Sequence, residues 1–325
     1  MTLEEHLQGA KKEEKLILYG TVEVWEMEHW LEVFRRKYPF LETSYRREYV
    51  YGTPPPMGEK IRMELITGAS ADIVMSAISP HLQLQDLGLF GSYMSPERKN
   101  IPGGFKDTKG YWTSILLLPT ILAYNPNLVK EGDIPSTIEA LANSKWDKAI
   151  ALHDVTLGTF GADWLSTLEK SIGRERWTKF VDRLGSLSPN RFPLFRQVVE
   201  SITKGESKIG LTVLLYEYLK ARAQNKPINR FLMDDIPLLT SATAISLLSS
   251  TKHPNSAKLF IDFILSTEGQ GLIGNSYIRI PAARNTNAKY AIEKLVPNEK
   301  IESFPASDNQ NKLKADTKYF IKAFK

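Results

Sequence analysis

Lys15-Leu16-Ile17-Leu18-Tyr19-Gly20 is the stretch on which the fold turns. Its apolar run reads as a buried strand that stops at Gly20. Beyond it, Val24, Met27, Leu31, Phe34 and Tyr38 recur at steps of three and four and make one apolar stripe of a helix, which Pro39 ends. A strand followed at once by an amphipathic helix is the unit of an α/β fold, and the pattern repeats down the chain. Ile73-Val74-Met75 reads as a second strand, then Ser79-Pro80 as N-cap and first helical residue, with Gly88 as the stop. Ser136-Thr137-Ile138-Glu139 has the capping-box form. Ala149–Leu152 and Lys208–Val213 read as strands. Phe195, Val198, Val199 and Ile202 form a helical stripe, as do Ala257, Phe260, Ile261 and Ile264, with Thr267 and Gln270 placed to cap the next helix. Strand–helix alternation at this spacing predicts mainly parallel sheets flanked by helices.

The chain has 325 residues, enough for about two domains. No internal repeat, low-complexity segment or flexible linker divides it. Thr53-Pro54-Pro55-Pro56, its one proline run, reads as a stiff loop before a helix holding Ile61 and Leu65. Any two domains are therefore joined by ordered strands. Net charge is +5, but the basic residues are dispersed. Arg35-Arg36-Lys37 and Arg46-Arg47 read as solvated helix faces rather than a nucleic-acid patch. With no cysteine, disulfides, thiolate metal sites and a cysteine nucleophile are excluded. The longest apolar runs fall far short of the roughly 20 residues of a membrane-spanning helix. Met1-Thr2-Leu3-Glu4-Glu5 is not a signal peptide, which leaves a cytoplasmic protein or a mature form of an exported one.

Five ordered stretches resemble the family 1 extracellular solute-binding proteins, in particular the subgroup containing the ferric-ion-binding proteins. They are Ala10–Gly20; Ala71-Asp72-Ile73-Val74-Met75-Ser76; Gly110-Tyr111-Trp112 with Leu122–Pro126 and Ile134–Thr137; Lys204–Gly210; and His253–Ser266, closing on Glu268-Gly269-Gln270. The resemblance implies a two-lobed type II periplasmic-binding-protein fold that the chain crosses between lobes near Leu118–Leu122 and Ser241–Ile245. Residues 1–120 and 243–285 would form a discontinuous first lobe, 121–242 the second, and 286–325 a helical tail packed on the second lobe. It further implies a periplasmic or extracytoplasmic protein that traps a small ligand in the interlobe cleft by hinge closure. The implied partners are that ligand and the membrane permease subunits of an ABC importer. No nucleic acid, cofactor or catalytic residue is called for, and a monomer is expected.

Ligands of such folds sit at the carboxyl ends of parallel strands, near helix N-termini. Thr21, Ser76 and Ser79 follow the first two strands, Thr21 also being a candidate N-cap. Thr156 and Thr159 lie in the loop Asp154–Gly161 after a third. Arg191 offers a planar fork to an anion, and Tyr216 follows the Lys208–Val213 strand. Each also has a structural reading as cap, turn, surface or core residue. For Tyr19, Tyr51 and Trp112, core packing is the better reading.

Two departures argue against iron. Relatives use adjacent tyrosines after that last strand, whereas here Leu215 precedes Tyr216 and Tyr218 is displaced by two, onto another helix face. Relatives place arginines where this chain has Leu116-Leu117-Leu118. The five histidines show no metal-ligand spacing, and no metal ligand is assigned. Two leucines after Pro237 add apolar character, so a small organic anion is the expected cargo. The alternatives are ferric iron or another metal on the same fold, an enzyme, or the ligand-sensing domain of a receptor. No phosphate-loop lysine motif, His-Glu-x-x-His or nucleophile elbow supports an enzyme.

Overall fold

The computed structural model describes residues 3–47, 63, 71–157, 160–233, 235–276, 278–284, 286–297, 299–303 and 310–325. The proline run, the helix expected around Ile61 and Leu65, Tyr51 and Thr159 lie outside the described residues. Twelve strands are described: β1 (Lys15–Gly20), β2 (Glu42–Arg47), β3 (Ile73–Ala77), β4 (Phe90–Gly91), β5 (Thr113–Tyr124), β6 (Ile150–His153), β7 (Asn190–Phe192), β8 (Ile209–Leu214), β9 (Asn229–Phe231), β10 (Leu238–Leu248), β11 (Ile280–Pro281) and β12 (Ile301–Ser303). The chain forms two compact units, Met1–Leu117 with Ala242–Asn298, and Leu118–Ser241 with Glu299–Lys325. Two of the boundaries fall inside β5 and β10. The third comes later in the chain than the 285/286 boundary expected from sequence.

In the first unit β1 is flanked by β2 and β3, both parallel to it, and β10 runs antiparallel to β3. The Val24–Lys37 helix packs Met27, Trp30, Leu31 and Phe34 inward. Phe34 meets Phe260 edge-on at 5.1 Å, within the Pro254–Leu265 helix. Each such side chain contributes about 1.5–3 kcal/mol by leaving water. Val24, expected on that stripe, is 47% exposed. It is the first residue of the helix, while Met27 and Leu31 on the same face are buried, so the stripe is covered only from Met27 onward. Glu26 is buried and takes two hydrogen bonds from Arg279 (2.6 and 2.8 Å).

Other sequence expectations are corrected at the level of caps. Arg46 and Arg47 lie on β2, not on a helix face. The helix after β3 starts at Ile78 with Ala77 at the cap position, so Ser79 sits inside its first turn, where Pro80 is tolerated. Glu23, not Thr21, holds the cap position of the Val24–Lys37 helix. In the second unit Thr137, not Ser136, caps the Ile138–Leu141 helix by accepting from Ala140 N at 3.2 Å. Glu139 instead pairs with Arg176. Ser266 rather than Thr267 takes the Gly269 amide at 3.2 Å at the start of the Thr267–Ser276 helix. For Thr137 and Ser266 the chosen oxygen is one residue from the expected one, whereas at Ala77 and Glu23 no side chain caps the helix.

In the second unit β6 lies between β7 and β8, parallel to both, with β5 antiparallel to β8. Its core gathers Trp146, Trp164, Trp177 and Phe180 with Phe320 and Phe324 of the C-terminal region. The Gln310–Ala323 helix is held there by charge as well. Lys312 pairs with Glu169 at 2.7 Å and with Asp316, and Tyr319 stacks on Trp177 at 5.8 Å. The contact is close enough to require glycine. A Cβ on Gly185 would stand 2.0 Å from the Ala323 carbonyl oxygen. We expect Gly185→Ala to lower stability by about 1–3 kcal/mol in urea denaturation. Gly103→Ala, which meets nothing within 4 Å, should stay within about 0.5 kcal/mol of the parent.

Candidate ligand-binding site

Parallel pairing aligns strand ends. In the first unit Gly20 pairs in register with Arg47 and with Met75, so the carboxyl ends of β1, β2 and β3 share one sheet edge. The approach is tight: a Cβ on Gly20 would meet the Met75 carbonyl at 2.8 Å. The Thr21 amide donates to that same carbonyl at 3.0 Å, which brings Thr21 beside Ser76. Thr21 is half-buried and Ser79 stands in the following first turn.

Ser76 is buried, and its proton is committed. Ser246 Oγ donates to the Tyr111 carbonyl at 2.7 Å, so it can only accept from His81 Nε2, at 2.6 Å. Burial pushes the His81 imidazole down to about 3, so it is neutral. Its Nδ1 then carries no proton and accepts from the Ser76 hydroxyl at 2.9 Å. Toward a ligand Ser76 therefore offers lone pairs and not a donor. At the same edge the exposed Arg46 places its guanidinium 5.4 Å from the centre of the Tyr19 ring. Arg47 is turned away into an ion pair with Glu23 at 2.5 Å.

In the second unit the ends of β6, β7 and β8 share an edge. Asp154 is its hub. It accepts from the Thr156 amide at 2.9 Å and hydroxyl at 2.7 Å, and Arg191 Nη1 lies 3.8 Å away. Thr156 and Arg191 are thus brought together. The Asp154–Arg191 contact is long and half open to solvent, worth no more than about 1 kcal/mol, so the guanidinium can exchange partners. Tyr216 stands in the first turn of the Leu215–Ala223 helix after β8, buried, with Lys220 Nζ 4.9 Å from its ring centre. His153, which ends β6, packs against Phe195 in a tilted pair with ring centres 4.5 Å apart, and its imidazole is pushed down to about 4 by burial.

Among the described residues four helices that follow strands of these sheets begin without side-chain caps. The cap positions after β1, β3, β7 and β8 are Glu23, Ala77, Leu194 and Leu214, and none accepts a first-turn amide with its side chain. Gly173 and Ala291 also leave helix starts uncapped, so the feature is not exclusive to the strand ends. Elsewhere Thr137, Ser266 and Glu13 take first-turn amides, Glu13 accepting from Asn255 and Ser256 at 3.1 and 2.8 Å. Among the described residues no group of three or more His, Asp or Glu side chains is placed to hold a metal ion. Sequence reasoning missed Asp154 as the hub and Arg46 as an edge cation. Alternation in Glu42–Arg47 was the signal that could have found Arg46.

The two units, each with an edge of this kind, define a two-lobed periplasmic-binding-protein fold of the α/β class. The family model described as bacterial extracellular solute-binding protein matches residues 68–302, and the chain belongs to that family of ABC-importer solute-binding proteins. It is similar to the Fe(3+)-binding periplasmic protein of Serratia marcescens, with 20% identity over 275 residues, 82% of this chain and 78% of that one. Among solved structures it is similar to iron-bound HitA from Pseudomonas aeruginosa (TM-score 0.77, 18% identity, 95% of this chain and 99% of that one). It is also similar to the periplasmic binding protein AfuA from Actinobacillus pleuropneumoniae with fructose-6-phosphate bound (TM-score 0.74, 21% identity, 95% and 98%). At these identities the structures speak for the fold. Among the described residues no helix is long and apolar enough to cross a membrane.

The buried imidazole sets a pH dependence. The unfolded chain binds a proton at His81 near pH 6.5, and the folded chain only near 3. The stabilisation is therefore complete above about 6.5 and is lost as pH falls toward 3. His81→Gln should lie below the parent in urea denaturation at pH 7, and the gap should narrow at pH 4.5. A gap that holds or widens would show that His81 is charged in the folded protein.

Proposed function

We propose that this chain captures a small organic anion outside the cytoplasm and hands it to the membrane subunits of an ABC importer. It acts as a monomer, closes on its cargo by a hinge movement and does not turn the cargo over. The observation that carries this reading is the composition of the strand ends. In each unit an arginine, Arg191 with a long contact of 3.8 Å to Asp154 and Arg46 with its guanidinium 5.4 Å from the centre of the Tyr19 ring, stands at an edge where helices begin without side-chain caps. Backbone amides and a guanidinium suit carboxylate or phosphate oxygens. Thr21, Ser76, Ser79, Thr156, Thr159 and Tyr216 are proposed to complete the contacts, Ser76 by accepting from a cargo hydroxyl.

The names of two relatives raise ferric iron as the rival cargo. What weighs against it is the segment after β8. Tyr216 and Tyr218 lie in the same short helix two positions apart, so their phenols diverge. Leu116–Leu118, where charge would receive a partner anion, are buried apolar residues of β5.

Calorimetry separates the two. Small organic phosphates and carboxylates, fructose 6-phosphate among them, should give saturable heat, and ferric ion should not. Arg191→Ala should weaken the best organic ligand by about 1–3 kcal/mol. Tight ferric binding with no organic binding would sink the proposal. So would appearance of a product when the incubated ligand is followed by mass spectrometry.

A further inference from the structure

The outward face of the Gln310–Ala323 helix carries charge of one sign. Its inward face, with Leu313, Asp316 and Phe320, is buried on the second unit. Lys314, Lys318 and Lys322 stand at steps of four on the opposite side, all exposed, and Ile321, 47% exposed, lies among them. The one acid of the helix, Asp316, is turned inward to Ser166 and Lys312. Acids of the neighbouring helices are committed too, Glu169 to Lys312 and Arg174, and Asp182 to the Tyr319 hydroxyl. Among the described residues none of the three lysines has a carboxylate partner.

Exposed helix cations are treated differently elsewhere in the chain. Arg36 pairs with Glu32, Lys179 with Glu175 and Arg196 with Glu200, each one turn away. Opposite charges at that spacing support a helix, and like charges oppose it. The lysine row therefore costs the helix stability, and an anionic surface that neutralised it would offset the cost. The side chains indicate which surface. Protein interfaces are rich in arginine and aromatic rings and poor in lysine. An ammonium on a flexible stem is a point charge, with no planar fork to read one particular carboxylate. A row of them around one apolar side chain suits a diffuse negative surface, the headgroup phosphates of a bilayer.

We infer that this face docks on an anionic membrane surface and keeps the protein beside the bilayer that holds the importer's membrane subunits. The inference does not depend on which cargo is carried. It is tested by cosedimentation with vesicles of phosphatidylcholine and phosphatidylglycerol, and with vesicles of phosphatidylcholine alone, at low and at raised salt. The parent should bind the anionic vesicles, leave them as salt rises and ignore the neutral ones.

Each lysine near such a surface contributes about fivefold in affinity, so the triple variant Lys314→Gln, Lys318→Gln, Lys322→Gln should bind about 100-fold more weakly. A control, Lys130→Gln, Lys204→Gln, Lys252→Gln, removes the same charge from exposed positions elsewhere and should stay within about threefold of the parent. In thermal melts the first variant should be at least as stable as the parent, since its like-charge row is gone. Equal binding to neutral vesicles, no binding at low salt, or equal losses in the two triple variants overturns the inference. Tighter binding to poly-glutamate or to duplex DNA than to the anionic vesicles also overturns it, and assigns the face to an acidic protein or a nucleic acid.

Discussion

The carboxylate of Asp72 is the point from which the first unit takes its register. It is buried, and its oxygens receive the Ile17 amide at 2.7 Å, the Thr251 hydroxyl at 2.7 Å and His253 Nδ1 at 3.0 Å. The backbone of the same residue donates to Ile17 O and accepts from Leu248 N. One residue therefore ties β1, the start of β3, the end of β10 and the approach to the Pro254–Leu265 helix. A buried carboxylate cannot be left without donors, and removing one partner of such a group costs several kcal/mol. With β1 and β3 locked in that register, Gly20 falls opposite Met75, and Thr21 and Ser76 arrive at the same edge.

This clasp explains why the family could be read from the sequence at all. The residues that carry the resemblance are mostly those that hold the units together. Glu13 receives the amides at the start of the Pro254–Leu265 helix, and Asp262 takes the Tyr93 hydroxyl at 2.8 Å. Gly269 is glycine because a Cβ there would stand 2.2 Å from the Phe263 carbonyl. Gln270, fully buried, donates to the Ile264 carbonyl and accepts from the Ala283 amide. In the second unit the Asn125 amide donates to the Lys208 carbonyl at 3.0 Å, so two of the recognisable stretches meet there. Buried polar groups with fixed partners leave sharp sequence marks.

Helix and strand positions were legible for a related reason: periodicity records which face is buried. What it does not record is which side chain wins at a helix start. Val24 fits the stripe by spacing, but the stripe is covered only from Met27 onward, by elements remote in sequence such as the helix carrying Phe260. Arg46-Arg47 looks like a charge run on a helix until the pairing of β2 with β1 is known. Asp154 reads as a turn residue, because its role as hub depends on Arg191 arriving from a different strand. Each miss is a long-range interaction invisible in a local window.

The candidate site was the least legible part, and its chemistry says why. Much of an anion site built at strand ends is backbone amide, which leaves no residue signature. The side chains that join in are few, and some are already spoken for. Ser76 shows the consequence. Its residue type allows it to donate or to accept, yet the chain from Ser76 through His81 and Ser246 to the Tyr111 carbonyl leaves it only the second role. That constraint comes from β10 and from the loop before β5, far from Ser76 in sequence. A hydroxyl at a strand end therefore does not by itself favour phosphate. On the proposal of anion capture, the anion is left to amides and to Arg46 or Arg191, while Ser76 is suited to a hydroxyl on the same ligand.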